Sequence, residues 1–252
     1  MFEQLWLIPL GFVAGILGSI IGFGGGTIIV PVLTFVGFPP TLAVGNSLFA
    51  AFSNSVASTA MYAKQKRIEY SLGLKLGLMS VPGTILGAII SSDLSPEIFK
   101  ILLALVLLSS ASYILLKRKI EEKPIDISRM LLIFSAGASF FSGVIASLFG
   151  VGGGIIFVPL MVVVLGLSMK RAAPTSQFIL MFTCFSGLIV HSILGHPDYY
   201  QALLLSIGAF AGGILGARLS LEIKEKKLKI IVIIVIVAAA IKLIIDSTTD
   251  IF

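Results

Sequence analysis

Hydrophobic residues run almost without interruption along this chain, and polar residues gather in short segments between the runs. No charged residue stands between Glu3 and Lys64, whereas one membrane helix needs only about 20 apolar residues. The runs are continuous rather than alternating, which is not the pattern of a membrane β-barrel. Because backbone polar groups in hydrocarbon must be satisfied within the chain, the pattern predicts a bundle of transmembrane helices.

The runs divide into two series of the same four elements. Each series has an apolar stretch with a glycine-rich break, a hydroxyl-rich helix, a glycine-containing helix and a helix rich in leucine or β-branched residues. The predicted ranges are 5–37, 41–63, 70–91 and 98–117 in the first series, and 130–166, 172–193, 200–220 and 228–246 in the second.

Two sequence motifs recur in the same order. The segment Gly22–Pro31 matches Gly150–Pro159 at seven of ten positions, with an offset of 150 − 22 = 128. The segment Gly83–Ala88 matches Gly212–Ala217 at five of six positions, with an offset of 212 − 83 = 129. Internal repetition of this kind indicates a duplicated unit. It predicts a first repeat over 1–120, a cytoplasmic linker over 121–129 and a second repeat over 130–252, all in one membrane domain.

Composition and charge exclude an ordinary soluble protein. The chain is 57% hydrophobic and 12% charged, against about 25% charged residues in soluble domains. Its net charge is +6, but the basic residues lie in short loops, as topology signals do. We therefore expect contact with a lipid bilayer and none with nucleic acid. The single cysteine, Cys184, excludes an internal disulfide, and the amino terminus lacks the basic segment of a cleaved signal peptide.

The distribution of charge predicts the topology. Basic residues gather in loops 64–69, 117–129, 166–171 and 218–229, whereas the other connections are neutral or acidic. If all four basic loops are cytoplasmic, each glycine-rich stretch must begin and end on one side of the membrane. The predicted fold is therefore an all-α polytopic membrane protein of two inverted repeats. Each repeat has a re-entrant pair of half-helices and three transmembrane helices, and both termini are outside the cell membrane. A rival topology, in which each stretch crosses once, puts Lys170 and Arg171 outside.

The two glycine-rich breaks are the first candidate for a binding site. Transporters built from inverted repeats bind substrate near the midplane, where broken helices meet. The start of a half-helix offers free N–H groups and a partial positive charge, which favour an anion. The alternative is that these glycines only allow close helix packing. The candidate residues at the breaks are Gly24, Gly25, Gly26, Thr27, Gly152, Gly153 and Gly154.

Uncharged polar side chains in the second helix of each unit complete the predicted substrate site. They are Asn46, Ser47, Thr175, Ser176 and Gln177, of which Asn46 and Gln177 are the strongest individual candidates. Their alternative role is hydrogen bonding between helices. His191 could carry a coupling proton or be an interfacial histidine. We expect no catalytic residue, no metal and no cofactor, because two histidines, one cysteine and no carboxylate within a span offer little to an enzyme.

The doubled glycine-rich element ending in Val-Pro, at 22–31 and 150–159, resembles the sulfite exporter TauE/SafE family of permeases. The segments 37–46, 166–176 and 82–87 fit as well, so that the resemblance covers nearly the whole chain. It implies a secondary transporter of a small anion, such as sulfite or an organosulfonate like sulfoacetate. Ile155 stands where the first unit has Thr27, which makes the half-sites chemically unequal. An anion channel and a non-transport scaffold are the alternatives. The direction of transport, the coupling ion and the choice between monomer and homodimer stay open.

Overall fold

The computed structural model describes residues 4–116 and 129–222, together with positions 237 and 241. Within these residues the regular elements are helices, without a strand. They are α1 (Leu7–Ile21), α2 (Gly26–Phe35), α3 (Pro40–Lys64), α4 (Tyr70–Asp93), α5 (Pro96–Leu116), α6 (Arg129–Phe149), α7 (Gly154–Pro159), α8 (Met169–Ile193) and α9 (Tyr199–Leu219), with a π-helical turn, Leu160–Val164, directly after α7.

The predicted elements are confirmed to within a few residues at their ends. Both glycine-rich stretches are broken, the first between Ile21 and Gly26 and the second between Phe149 and Gly154. The π-helical turn after Pro159 has no counterpart after Pro31, and the sequence did not predict it. The predicted helix 228–246, apart from positions 237 and 241, and most of the linker 121–129 lie outside the described residues.

Three of the described helices, α4, α8 and α9, are long and apolar enough to cross a membrane. Helix α3 has the same length as α8, with 25 residues each. Buried hydroxyl and amide side chains, among them Asn46, Ser47 and Asn54, lower its apolar character. The division of the chain into repeats at 120 and 130 stays a prediction.

Helices α1, α3 and α9 run in the same direction. Asn46 on α3 contacts Gln201 on α9, and Ser58 farther along α3 contacts Gly213 farther along α9. Helices α1 and α9 are parallel as well, because Gly208 packs on Ile8 and Gly216, farther along α9, packs on Ile16, farther along α1. Three helices of the bundle are thus parallel.

Helices α4, α6 and α8 form the corresponding parallel set, which runs in the opposite direction. Ser80 contacts Thr183 and Thr84 contacts Ser186, so α4 advances with α8. The two sets are antiparallel because the end of α3 lies beside the start of α8, where Arg67 donates a hydrogen bond to the carbonyl oxygen of Lys170. Since α1 and α3 start at the same end, α1 and α2 form a hairpin that returns to its starting side.

The second repeated motif packs helices of different units together. A Cβ at Gly83 would lie 2.0 Å from the carbonyl oxygen of Phe140, so α4 approaches the backbone of α6 directly. In the same way, a Cβ at Gly212 would lie 2.2 Å from the carbonyl oxygen of Phe12 on α1. Small residues allow such close helix crossings. The first helix of each unit, α1 or α6, therefore packs on the glycine-containing helix of the other unit, α9 or α4, and the two units are interleaved. Their inverted orientation in a bilayer stays a prediction.

Three of the four basic loops meet at one end of the bundle, which we call the basic end (residues 64–69, 166–171 and 218–222). Arg67 Nε donates to the carbonyl oxygen of Lys170 at 2.9 Å, and Arg67 Nη1 donates to Ser220 Oγ at 2.9 Å. Arg171 forms an ion pair with Glu69. The fourth basic loop, 117–129, lies almost entirely outside the described residues.

The opposite end of the bundle carries the connections 36–39, 93–96 and 194–198. A Cβ at Gly45, near the start of α3, would lie 3.0 Å from the nitrogen of Pro197. Ser92 Oγ, at the end of α4, lies 3.3 Å from His196 Nε2. The separation of basic and acidic loops expected from the sequence is therefore present in the described part of the fold.

Candidate functional site

Each helix break is built on glycines in the left-handed region. Gly18 O accepts the N–H groups of Gly22, Phe23 and Gly24 at 2.9, 2.9 and 3.3 Å, which ends α1. Gly24 and Gly25 have φ of +83° and +81°, and Gly152 and Gly153 have +77° and +78°. Glycine adopts this conformation without the steric cost that a Cβ brings. The chain can therefore reverse within four residues and start a new half-helix.

The two breaks touch each other through their backbones. A Cβ at Gly26 would lie 2.2 Å from the carbonyl oxygen of Gly150, and a Cβ at Gly154 would lie 2.2 Å from that of Gly22. The two contacts are equivalent, because 150 − 22 = 128 and 154 − 26 = 128. The structure thus brings together the two candidate half-sites, which are distant in sequence.

Ser47 and Ser176 hold the breaks in place. Ser47 Oγ donates to Gly150 O at 2.8 Å, and Ser176 Oγ donates to Gly22 O at 2.6 Å. The two serines are equivalent, with an offset of 176 − 47 = 129, and each one binds the break of the other unit. Both side chains are fully buried. In this structure they position the site through hydroxyl groups that are already engaged.

Asn46 and Thr175, also equivalent to each other, are engaged at the starts of helices. Asn46 Oδ1 accepts the N–H of Asp198 at 2.9 Å, and its Nδ2 donates to Gln201 Oε1 at 3.0 Å. Thr175 Oγ1 accepts the N–H of Glu69 at 3.0 Å. Asp198 and Glu69 are the residues before α9 and α4. The hydrogen bonds of these two candidates therefore anchor helices.

Gln177 lies against the first break and has an unused acceptor. Its Nε2 donates to Gly18 O at 2.7 Å, and its Oε1 is buried without a hydrogen-bond partner among the described residues. Thr27, the other polar side chain at this break, is 3% exposed. At the second break the equivalent residues are Leu48, which comes from the first unit, and Ile155. Gln177 Oε1 is therefore a buried acceptor without a partner at the first break, while Thr59, Ser135 and Ser147 have unpartnered buried hydroxyl oxygens elsewhere in the described structure.

Leu180 and Cys184 are residues of the site that the sequence reasoning missed. The Leu180 methyl groups would lie 2.7 Å from a Cβ at Gly24 and 3.6 Å from one at Gly152, so this side chain reaches both breaks. Cys184 Sγ would lie 3.4 Å from a Cβ at Gly152. Helical periodicity could have predicted both residues, because positions 180 and 184 follow Gln177 by three and seven residues and therefore lie on the same face of the helix.

The start of α2 presents unpaired backbone donors at this place. Among the described hydrogen bonds, the amide N–H groups of Gly26 and Thr27 have no acceptor, whereas Ile28 and Ile29 already bond to Gly25 O. No side chain caps this helix start. Free N–H groups and the positive end of the helix dipole can together stabilise a negative charge.

His191 is part of a chain of hydrogen bonds at the opposite end of the bundle. Its Nε2 lies 3.0 Å from Ser147 O, and its Nδ1 lies 2.7 Å from His196 Nδ1. Since a carbonyl only accepts, His191 Nε2 carries the hydrogen, and His196 Nδ1 then donates to His191 Nδ1. Tyr62, the equivalent of His191, donates likewise to Ser19 O at 3.0 Å. Partial burial lowers the pKa of His196, which lies in the connection 194–198.

Among the described residues, no group of three or more histidine, cysteine or acidic side chains is arranged to hold a metal ion. What the site offers instead is a set of uncharged donors and one free amide acceptor, enclosed by two helix breaks. Binding by backbone groups and uncharged side chains suits a small ion.

A helical membrane bundle of two equivalent units, with broken helices that meet in its interior, has the plan of a secondary transporter. The chain belongs to the sulfite exporter TauE/SafE family, whose sequence pattern matches residues 7–243. It is 32% identical over 248 residues to the "Probable membrane transporter protein YunE" of Bacillus subtilis, covering 88% of this chain and 90% of that protein. It is 30% identical over 249 residues to the "Probable membrane transporter protein MJ0441" of Methanocaldococcus jannaschii, covering 91% and 92%. The protein is therefore a multi-pass membrane transporter.

Proposed function

We propose that this protein is a secondary carrier of a small anion, sulfite or an organosulfonate such as sulfoacetate, bound where the two breaks meet. The observation that carries the proposal is the start of α2, where the N–H groups of Gly26 and Thr27 have no acceptor in the described structure. The buried, half-used amide of Gln177 beside the same break is a second observation that points to a ligand. The name of the family supports sulfite as the first substrate to test.

The charge distribution favours an anion held without a basic side chain. Arg67 and Arg171 are engaged with other residues at the basic end. A full positive charge near the midplane of a bilayer is expensive. Oriented N–H and O–H groups can stabilise the oxygens of a small anion instead, and they bind loosely enough for a carrier to release its cargo.

The burial of the breaks favours a carrier over a channel. Residues Gly22–Thr27 and Gly150–Ile155 are all buried in this structure. A carrier passes through states in which its site is closed, whereas an open channel keeps a continuous path. Counterflow distinguishes the two, because only a carrier exchanges labelled for unlabelled substrate against a gradient.

In the proposed topology the basic end faces the cytoplasm, following the positive-inside rule. Both termini are then outside the cell membrane, and the second unit is inverted relative to the first. His191, through its contact with His196, is the proposed point at which a coupling proton enters.

The test is uptake and counterflow in proteoliposomes with sulfite, sulfate, short sulfonates, carboxylates and a neutral sulfone of similar size. We expect saturable transport of a sulfur oxyanion or sulfonate and none of the sulfone. Saturable uptake without counterflow would identify a channel. Transport of the neutral sulfone at the same rate would refute an anion-selective site, and transport of none of these compounds would refute the proposed substrate class.

A further inference from the structure

The side chain of Gln177 is only half used in this structure. It is fully buried, and its Nε2 donates to Gly18 O at 2.7 Å. Its Oε1 is an acceptor without a partner among the described residues. A buried acceptor without a partner is unfavourable because it has lost its hydrogen bonds to water, so this oxygen favours any occupant of the site that brings a hydrogen-bond donor.

The amide of Gln177 lies at the break itself. Gly18, which accepts its hydrogen bond, packs so tightly on the break that a Cβ there would lie 2.0 Å from the nitrogen of Gly25. Leu180, one turn farther along α8, reaches Gly24. The free acceptor and the free N–H groups that start α2, a helix of 10 residues, therefore belong to the same corner of the site.

The equivalent half-site at the second break lacks this acceptor. Leu48 stands at the position equivalent to Gln177, with 177 − 48 = 129, and it packs on Gly187. Ile155 likewise replaces Thr27. An occupant thus meets donors and an acceptor on one side and apolar side chains on the other, which fixes its orientation.

The lack of a basic partner also limits the charge that the site can hold. The cost of taking an ion out of water rises with the square of its charge, and a buried ion without a countercharge bears this cost in full. Uncharged donors compensate a single negative charge far better than two. A singly charged anion is therefore favoured over a dianion.

We propose that the transported species is a singly charged oxyanion that carries its own O–H or N–H donor, and that this donor bonds to Gln177 Oε1. This inference rests on the proposed anion transport and narrows its substrate class. Protonated oxyanions such as hydrogensulfite, and hydroxyalkyl sulfonates, fit the description. Sulfate and simple alkyl sulfonates do not.

The test compares two sulfonates of equal size in proteoliposomes, 2-hydroxyethanesulfonate and propanesulfonate, which differ by one hydroxyl group in place of a methyl group. We expect the wild type to prefer the hydroxyl compound about tenfold in kcat/KM, since tenfold corresponds to about 1.4 kcal/mol, which is within the range for one hydrogen bond. Gln177→Leu introduces the residue found at position 48 and should bring the preference within about twofold. Gln177→Met serves the same purpose if the leucine variant does not fold.

Ser139→Ala is the matched control, because Ser139 is fully buried and its Oγ bonds only to Ser135 O within α6. This variant should keep the tenfold preference. The ratio of two substrates is used because a loss of folded protein lowers both rates and leaves their ratio unchanged.

A second arm follows sulfite at constant total concentration while the pH is raised, so that hydrogensulfite is converted to the dianion. Sulfite transport should fall relative to 2-hydroxyethanesulfonate transport in the same vesicles, because any effect of pH on a coupled proton is common to both substrates. Equal transport of the two sulfonates, an unchanged preference in both Gln177 variants, or a ratio of sulfite to 2-hydroxyethanesulfonate transport that rises with pH would overturn this inference and leave anion transport standing. Transport of none of these anions would instead refute the proposed function.

Discussion

Gly26 packs so closely on Gly150 that a Cβ on the first would lie 2.2 Å from the carbonyl oxygen of the second. Backbone stands on both sides of this contact, so no side-chain movement can relieve a clash. The equivalent contact, Gly154 on Gly22, has the same distance. The two units can approach this closely only because Gly26 and Gly154 have a hydrogen atom where every other residue has a Cβ.

Gly26→Ala and Gly154→Ala should each prevent correct assembly of the bundle, because the added methyl group overlaps the backbone of the other unit. Gly137→Ala, in a helix and with open space where its methyl group would lie, should be neutral or slightly stabilising. Yield of monodisperse protein and its thermal unfolding in detergent measure the effect. Normal yield and stability of either break variant would contradict the contact.

Gly24→Ala should impair transport more than stability. Its Cβ would lie 2.7 Å from a Leu180 methyl group, the end of a flexible side chain that can move. Gly37→Ala is the matched control, because Gly37 has φ of +94° against +83° for Gly24 and open space around it. Both variants bear about 1–2 kcal/mol for a left-handed residue, and only Gly24→Ala should lose sulfite uptake. Equal uptake by the two variants would place the ligand elsewhere.

Asn46→Ala should lower stability rather than affinity. The substitution leaves the N–H of Asp198 and Gln201 Oε1 without their partner, at a cost of about 1–3 kcal/mol. Thr175→Val should act in the same direction through the N–H of Glu69. Thermal unfolding measures the first effect, and calorimetric sulfite binding by the folded protein measures the second. Weaker sulfite binding by Asn46→Ala with unchanged thermal unfolding would show instead that Asn46 belongs to the binding site.

Cysteines introduced at Lys170 and Ser95 should react from opposite sides of the membrane. Both positions are exposed, Lys170 at the basic end and Ser95 at the opposite end. The native Cys184 is buried, so we expect it not to react with the labelling reagent. Labelling of intact cells and of inverted vesicles with an impermeant maleimide shows from which side of the membrane each introduced cysteine reacts. Reaction of both positions from one side would exclude the proposed topology.

Acidification should destabilise the protein through His196. Burial holds the pKa of His196 below its ordinary value of 6.5 in the folded state, so the unfolded chain binds more protons and stability falls as the pH drops through that value. His196→Asn keeps an N–H donor for His191 but does not titrate. Its thermal unfolding between about pH 8 and about pH 5 should depend less on pH than that of the wild type. Identical pH dependence would show that His196 stays neutral or is not linked to stability.

The architecture was largely readable from the sequence, because hydrophobic runs, loop charges and a repeated motif act at the level of whole helices. Gly83 and Gly212 were recognisable in the sequence as equivalent positions of a repeated motif, and in the structure both pack helices together. Their partners, Phe140 and Phe12, could not be found, since helix pairing depends on which faces match in three dimensions. The sequence therefore did not predict that the first helix of each unit packs on a helix of the other unit.

The site was readable only in part. The breaks and the face of α8 that bears Gln177 followed from composition, but Asn46 and Gln177 looked alike in the sequence. Contacts with Asp198 and Gln201 engage Asn46 at the start of α9, while Gln177 keeps a free acceptor beside the break. Whether a polar group is already satisfied depends on tertiary contacts that spacing alone does not reveal.

The interleaving of the two units has a consequence for synthesis and ancestry. Ser19, at the end of α1, bonds to Gly213, which lies 194 positions later, so α1 leaves the ribosome long before its packing partner exists. Either half made alone would expose a glycine-lined groove and should be captured by quality-control proteases. Under the proposed inverted topology, an ancestor with only one unit would have needed a second copy of itself, inserted in the opposite orientation, to complete each crossing. Duplication would then have joined the two orientations in a single polypeptide.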